Sequence, residues 1–442
     1  STYLEMKPYW QRAFNGESNV CWQGDINYFA LSSGTTDATS KYIPVTSKML
    51  KNIKRASLRQ LWQIAKSDLP KEHLAKNYLF VGGSTNLEFN GNNFFGDLSG
   101  ITTSNIPVWM KRFSKPEPYI RNEKEWNHKI NLMVEQAPNW DIAMIAGVPA
   151  WIQLLFQKII DTYNLKTIHD IWPNLSVYVH GGVSFKPYKK SFNQFLAKPI
   201  KYFETYLASE GFIAFQDKEK SLGMRLVFRN GIFYEFIPFN KENFSEDGNL
   251  NSSAKAMTLE KVQKDVDYAI VISTCSGAWR YLLGDTIRFV SKKPYKIKVS
   301  GRLKHFISAF GEHVIAKEVE EAMQVVSEDM QLSITEFTVA PQVNPPDRQL
   351  PYHEWFIEFE IQPKKLDIIE IKLNEELLRQ NIYYRDLIEG NILQILKITP
   401  LKKFAFRNYM KSQGKLGGQN KLPRLTNDRQ LADRLKVQNL TK

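Results

Sequence analysis

Two segments constrain the fold most. NYLFVGGST at residues 77–85 and NLSVYVHGGVS at 174–184 each run a strand-like apolar stretch into a pair of glycines. In α/β proteins such strand ends are where ligands are held. Residues 48–67 carry apolar side chains at three- and four-residue spacing and read as a helix. Helical and strand-like segments alternate with no internal repeat or low-complexity tract, which predicts a layered α/β protein. RLVFRNGIFYEFIPF at 225–239 predicts two strands joined by a hairpin turn at RNG, and DYAIVIST and DTIRFV follow as further strands. Near VSGRLK at 299–304 the style changes, to a helix at AKEVEEAMQVV and an alternating strand at HEWFIEFEI. A boundary there gives a large domain over 1–300 and a smaller α+β domain over 301–442, within the usual domain range.

Composition narrows the class of function. The 442 residues are 43% hydrophobic and 24% charged, enough to bury at least one large core. Cys21 and Cys275 lie far apart and form no CxxC pair, so neither a disulfide framework nor a zinc ribbon is expected, and a reducing compartment, the cytoplasm, is. The opening STYLEMKPYW has no basic segment leading into an apolar one, so no signal peptide is predicted. The longest apolar run, AMIAGVPAWIQLLF at 143–156, is interrupted by Gly147, Pro149 and Gln153, so no membrane span is expected. A net charge of +13 invites a nucleic-acid reading. The cations are interspersed with acids, however, and short runs such as YKK at 188–190 and SKKPYKIK at 291–298 read as solvated faces or strand edges. A basic cleft for a nucleotide or an acidic small molecule fits the same charge, and no nucleic-acid partner is expected.

Five stretches carry candidate chemistry. LSSGTTDATSKYIPVT at 31–46 offers the hydroxyls of Ser32, Ser33, Thr35 and Thr36 and the backbone beside Gly34 to phosphate oxygens. It is not a kinase-type P-loop: counting from Gly34, that pattern needs glycine and lysine where Thr39 and Ser40 stand. Alone, a loop of this composition is more often a structural turn. YLASEG at 206–211 supplies an aromatic, a hydroxyl and a carboxylate able to stack on a base, bond a phosphate and bind Mg²⁺, or simply ends a helix. WRYLLGD at 279–285 sets Asp285 after a glycine in what reads as a strand-to-strand turn, where it could accept a ribose diol. GRLKHFISAFGE at 301–312 puts Arg302 and Lys304 at the domain boundary. GKLGGQNKLPRL at 414–425 combines three glycines with three basic residues, a loop able to bring Lys421 to developing negative charge or a plain solvated tail.

Taken in order over nearly the whole chain, these stretches resemble the auxin-responsive acyl-acid-amido synthetase family of the acyl-adenylate-forming superfamily. SSGTT, YLASEG, YLLGD and the lysine of QNKLPR match its motifs, and SKYIPV, GIFYEFIP and GKLGGQNK are similar to the phrasing of its bacterial members rather than of the plant enzymes named for auxin. The resemblance implies a large N-terminal adenylate-forming domain with a β-barrel-like part, a smaller mobile C-terminal domain, and a helical segment ahead of Ser1. ATP and Mg²⁺ are the implied cofactors, a carboxylic acid and an amino acid or other amine the implied partners, and a monomer the implied state. By position, Ser32, Ser33, Gly34, Thr35 and Thr36 would meet the ATP phosphates. Gly181, Gly182 and Tyr206 would meet the adenine, Asp285 the ribose, and Ser209 and Arg302 would join the nucleotide contacts. Glu210 would face the phosphates or Mg²⁺, and Lys421 would offset charge on the α-phosphate. The wider superfamily has glycine where Asp37 stands and proline where Ser40 stands, so Lys41 carries over no assigned contact. The implied chemistry is adenylation of an acid and displacement of AMP by an amine, with the C-terminal domain pivoting near Gly301. A thiol acceptor such as coenzyme A and a non-catalytic nucleotide binder are the alternatives. VPAWIQLLF with Trp151 is the candidate acyl pocket, equally readable as a core helix, while His180, His305 and His313 read as structural.

Overall fold

A computed structural model describes residues 1–32, 41–183, 185, 188–245, 248–303, 306–307, 309–312, 314–346, 349–412 and 423–440. The chain divides into two compact units, the larger running to Leu303 and the smaller from there onward. In chain order the larger unit carries β1 (Tyr28–Ser32), β2 (Lys41–Val45), β3 (Asn77–Val81), β4 (Glu88–Phe89), β5 (Phe94–Asp97), β6 (Ser114–Lys115), β7 (Ile142–Gly147) and β8 (Val177–Gly181). It continues with β9 (Lys201–Ala208), β10 (Gly211–Phe215), β11 (Met224–Leu226), β12 (Ile232–Pro238), β13 (Asp267–Thr274), β14 (Tyr281–Lys292) and β15 (Tyr295–Arg302).

Eleven of these strands form one sheet in the order β12-β13-β14-β15-β11-β10-β9-β8-β7-β3-β6. From β6 to β9 all pairings are parallel, and from β9 to β12 all are antiparallel, so β9 is the seam between two kinds of sheet. Parallel strands covered on both faces carry unbroken apolar runs, and Ile142, Ala143, Met144 and Ile145 of β7 are all buried. The antiparallel half shares a core with the second sheet, β2-β1-β5-β4, in which Phe29, Ile43 and Val45 pack with Phe212, Phe236, Ile270 and Phe289. This enclosure is the barrel-like part that the resemblance implies.

The helix expected at 48–67 spans Ser47–Ala65. Thr46 starts it, its side chain accepting the Met49 N–H, and Met49, Leu50, Ile53, Ala56 and Ile64 bury its apolar stripe. Truncating one such residue, as in Ile53→Ala, costs about 2–5 kcal/mol.

The expected RNG hairpin is not there. β11 pairs with β10 and β15, whereas β12 is the sheet edge beside β13, so the two runs flanking RNG are not partners. Asn230 is buried and donates to the Phe212 carbonyl at 2.7 Å, and Gly231 (φ +76°) lies where a Cβ would come within 2.5 Å of Asn52 and Cys275. The turn is pinned to the core and sends the chain across it, rather than back along itself.

The smaller unit holds a β16 (Phe306–Ile307) and β17 (Val314–Ile315) pair and a sheet of β18 (Ile334–Gln342), β19 (Tyr352–Phe359) and β20 (Lys397–Leu401), with β19 in the centre. Helices Ala316–Asp329, Leu366–Gln380, Ile382–Glu389, Ala405–Ser412 and Gln430–Leu440 complete an α+β arrangement. HEWFIEFEI alternates in residue type and forms the expected strand, and neither of its faces is solvated, because every residue of β19 is buried. Its polar members are partnered instead: His353 Nε2 lies 2.8 Å from Glu312 Oε1, Glu354 meets Thr399, Arg429 and Lys436, and Glu358 accepts the backbone N–H groups of Phe404 and Phe406. Among the described residues no helix is long and apolar enough to cross a membrane, and Cys21 and Cys275 are buried and free.

Candidate active site

The seam at β9 is where the candidate residues gather. β9 and β10 pair as a hairpin, Gly211 opposite Ala208, so Ser209 and Glu210 form its turn rather than a helix end. Tyr206, three residues before the turn's first member, projects from β9 and donates its hydroxyl to Asp285 Oδ2. Asp285 does not sit in a strand-to-strand turn as the sequence suggested. β14 runs unbroken from Tyr281 to Lys292, and Gly284 (φ +92°) makes an irregularity inside it, a backbone setting that a side chain would strain. Asp285 stands opposite Arg302 of β15, whose Nε is 2.5 Å from its Oδ1.

These groups are withdrawn from solvent: Asp285 is 6% exposed, Glu210 7% and Tyr206 9%. Burial pushes the Glu210 carboxyl up to about 7, and the Asp285 charge adds to this, against the opposing charges of Lys41 and Arg302. Burial, reinforced by the Asp285 carboxylate, raises the Tyr206 phenol well above its ordinary value. Burial with Glu210 nearby does the same for Tyr281. Both phenols therefore remain donors at neutral pH, and Glu210 is poised to gain or lose its proton there.

Gly181 closes β8 opposite Thr205, the neighbour of Tyr206. A Cβ on Gly181 would lie 2.4 Å from the Thr205 carbonyl oxygen, so only glycine lets the two strands meet, and Gly182 follows at φ +80°. Ser32 ends β1 opposite Lys41 of β2. Tyr206, Ser209, Glu210, Asp285, Arg302, Gly181 and Gly182 thus lie on the seam or on strands that flank it or pair in the antiparallel half. Ser33, Gly34, Thr35, Thr36 and Lys421 lie outside the described residues, as do Lys304, His305 and His313.

Three contributors escape the motif reading. Lys41, left without a contact by its loop spacing, is the foremost charge acting on Glu210, and its Nζ lies 5.3 Å from the centre of the Tyr3 ring. Tyr281 opens YLLGD and packs its ring against Trp10, centres 5.4 Å apart and planes tilted by 48°, yet only its motif neighbours had drawn attention. Lys129 is 3% exposed and clamps the first double glycine, donating to the carbonyls of Gly82 at 3.0 Å and Gly83 at 3.2 Å, with burial pulling its ammonium down to about 8. A lysine on the buried side of a helix was the one available signal. Trp151 meets Trp126 at 4.6 Å between ring centres, and both indole Nε1 atoms are buried without hydrogen-bond partners among the described residues. They start the helices Pro149–Tyr163 and Trp126–Gln136, the former directly after the carboxyl end of β7. His180 is buried against Phe185, ring centres 4.6 Å apart, and burial pulls its imidazole down to about 4. An apolar cavity of about 240 Å³, lined by Trp62, Tyr78, Trp109, Met144 and Val177 among others, opens near the starts of β7 and β8, away from their carboxyl ends.

The chain matches the GH3 family N-terminal domain over residues 1–134, the GH3 family central domain over 225–302 and the GH3 family C-terminal domain over 317–430. Among solved structures it is similar to the GH3.15 acyl acid amido synthetase, with a TM-score of 0.56 at 15% identity over 100% of this chain and 86% of that one. AtGH3.15 acyl acid amido synthetase in complex with 2,4-DB gives 0.54 at 14% identity over 100% and 87%. A 2-hydroxyisobutyryl-CoA ligase in complex with 2-HIB-AMP and CoA gives 0.56 at 12% identity over 99% and 81%. At these identities the likeness is one of fold, shared alike by an amido synthetase and a coenzyme A ligase. The three domain matches follow one another through more than half of the sequence, in the order that its motifs follow, and the chain belongs to the GH3 family.

Proposed function

We propose that the chain is an ATP-dependent ligase that adenylates a carboxylic acid and passes the acyl group to an amine, an amino acid foremost. The observation that carries this reading is the buried Tyr206–Asp285–Arg302 cluster beside Glu210 and the glycine edge of β8. Asp285, oriented from both sides, is suited to accept the two hydroxyls of a ribose. Gly181 and Gly182 leave room for a flat base near Tyr206, and Ser32, Ser33, Thr35, Thr36 and Ser209 provide hydroxyls for the phosphates around Gly34.

Glu210 fits a divalent cation. Its carboxyl has been stripped of water and raised to about 7, a state that a nearby cation reverses. Among the described residues no group of three or more His, Cys, Asp or Glu could hold a metal. The ion would be Mg²⁺ held by one carboxylate together with phosphate oxygens, and when bound it neutralises phosphate charge. An oxygen of the acid's carboxylate attacks the α-phosphorus of ATP, the bond to the bridging oxygen breaks, and pyrophosphate leaves. Lys421 offsets the charge that develops, worth about 3–4 kcal/mol by analogy with a single oxyanion donor. The amine nitrogen then attacks the acyl carbon, AMP departs and the nitrogen loses a proton, while the C-terminal domain turns near Gly301 between the two half-reactions. The paired indoles of Trp126 and Trp151, just past the carboxyl end of β7, support an acyl pocket at that strand end.

The equal fold likeness to a coenzyme A ligase supports a second reading, in which a thiol replaces the amine. Pyrophosphate release across a panel of acids, followed by mass spectrometry after adding amino acids or coenzyme A, separates the two. Amide formation is expected. A folded, ATP-binding protein that yields no acyl adenylate, amide or thioester would overturn the enzyme reading.

A further inference from the structure

Lys129 carries a charge inside the larger unit that the adenylation chemistry does not use. It stands one turn beyond Trp126 on the helix Trp126–Gln136, so both side chains leave the same helix face. Its ammonium has three N–H groups, and all three meet backbone carbonyls: Gly82 at 3.0 Å, Gly83 at 3.2 Å and Arg121 at 3.3 Å. With its donors filled, Lys129 does not itself grip a substrate. What it determines is where the two glycines stand.

Those glycines prolong β3 past its carboxyl end. Val81 lies opposite Gly147 of β7, and a Cβ on Gly147 would come within 2.7 Å of the Val81 carbonyl oxygen. Val148, next in the chain, lies 3.7 Å from where a Cβ on Gly182 would stand, and Trp151 follows in the first turn of the helix Pro149–Tyr163. The ends of β3, β7 and β8 therefore form one continuous ledge, from the glycines proposed for adenine to the Trp126–Trp151 pair. Gly83 is held from a second side as well. Its N–H donates to Ser99 Oγ at 3.0 Å, and a Cβ on it would collide with the Asp97 carboxylate. A strand end without side chains, fixed from two sides, lets backbone and ligand approach closely.

We propose that Lys129 is a positioning residue for the carboxylic acid: by holding the Gly82 and Gly83 carbonyls it fixes the strand end that floors the acyl site beside Trp126 and Trp151. This deepens the ligase reading and rests on it. Burial draws the Lys129 ammonium down to about 8, with the Asp97 and Glu123 charges favouring it and the Arg121 charge opposing it. Above that pH the neutral amine keeps two N–H groups for three carbonyls, and the clamp loosens without any substitution.

The test measures pyrophosphate release by the full chain with benzoate, phenylacetate, hexanoate and succinate, and follows the best of the four through wild type, Lys129→Met and Lys129→Arg. At pH 7.5 Lys129→Met, which keeps the apolar stem, raises the KM for the acid about tenfold with kcat nearly unchanged, while the Kd for ATP by calorimetry moves less than about twofold. Lys129→Arg, which keeps charge and donors, regains most of that loss. Between pH 7.5 and 9.5 the wild-type KM for the acid rises about five- to tenfold, and in Lys129→Arg, whose guanidinium stays charged, it remains level. Should Lys129→Met fail to fold, this pH series decides alone. An acid KM unmoved in folded Lys129→Met, equal losses for acid and ATP, or the same pH profile in wild type and Lys129→Arg overturns the proposal and leaves the ligase reading standing. A wild type that releases no pyrophosphate with any of the four acids removes both together.

Discussion

Replacing Glu210 by Gln separates the stability cost of the buried acid from its use. The folded protein holds this proton up to about pH 7, whereas the unfolded chain releases it near the ordinary 4.5. Between those values the native state binds more protons than the unfolded one, so stability falls as pH rises through the interval. At about 1.36 kcal/mol per pH unit, the whole effect is about 3 kcal/mol above neutrality. Glutamine keeps the shape and cannot ionise. Wild type and Glu210→Gln should therefore be equally stable near pH 5 in urea denaturation, while at pH 8 the variant should be the more stable by about 3 kcal/mol. Adding Mg²⁺ with ATP should narrow the gap at pH 8, because the cation stabilises the ionised wild-type carboxylate, and the variant should lose adenylation. A gap that is the same at both pH values, or a variant less stable at pH 8, would refute the account of Glu210 as an acid whose charged form the fold disfavours.

Other perturbations test neighbouring links. Tyr206→Phe keeps the ring and removes the donor to Asp285, a charge-assisted bond worth about 1.5–3 kcal/mol, so ATP affinity by calorimetry should fall about 10- to 100-fold, and an unchanged affinity would remove Tyr206 as support for Asp285. Gly181→Ala forces a Cβ to 2.4 Å from the Thr205 carbonyl and should part β8 from β9 at a cost of about 1–3 kcal/mol in thermal or urea denaturation; full stability would mean the strands yield freely. Glu354 in the smaller unit has the opposite sign to Glu210. Its burial is outweighed by Thr399, Arg429 and Lys436, which hold its carboxyl below the ordinary range. Its contribution is present at neutral pH and disappears as pH falls, so Glu354→Gln should cost about 3 kcal/mol at pH 7 and progressively less on acidification, as read by urea denaturation at each pH.

Periodic and strand-end signals were the legible part. The helix at Ser47–Ala65 and the strands before both double glycines follow from local spacing, because amphipathic burial and the chain's path coincide there. The glycines after them were harder to read. Gly231 and Gly284 share a left-handed backbone, yet the first turns the chain between strands that never pair and the second lies inside one continuous strand. A glycine reports that φ is positive, but whether the chain reverses depends on what the flanking segments meet far away in sequence. The same limit hid Lys129 and Tyr281: one is bonded to carbonyls 46 and 47 residues away, and the other is placed by Trp10 at the opposite end of its unit's sequence. Ordered motifs brought Tyr206, Glu210, Asp285 and Arg302 into view together, although their spacing in the chain gives no hint that one phenol and one guanidinium would hold the same carboxylate.

The polar positions of β19 show what alternation leaves undetermined. Alternating residue types establish that a strand has two unlike faces, and solvation of the polar one is an added assumption. Phe356 packs with Ala405, Phe406, Leu431 and Leu435, and Glu354 and Glu358 project on the same side of the strand as Phe356. That side is covered by helices, so each acid needs a partner or a lost proton. Glu358 finds backbone N–H groups at Phe404 and Phe406, at the start of Ala405–Ser412, where a helix favours a negative charge. Glu354 finds Arg429 and Lys436, which precede and lie within Gln430–Leu440. On β18, the Thr338 hydroxyl donates to the Pro423 carbonyl, and the Val339 backbone donates to the Arg424 carbonyl and accepts from the Thr426 N–H. The segment bearing Lys421 is thus bounded on both sides by chain that the central sheet fixes, one side through each acid. Burying these carboxylates is costly by itself, and their pairing converts the cost into a defined position for both flanks of the proposed catalytic lysine.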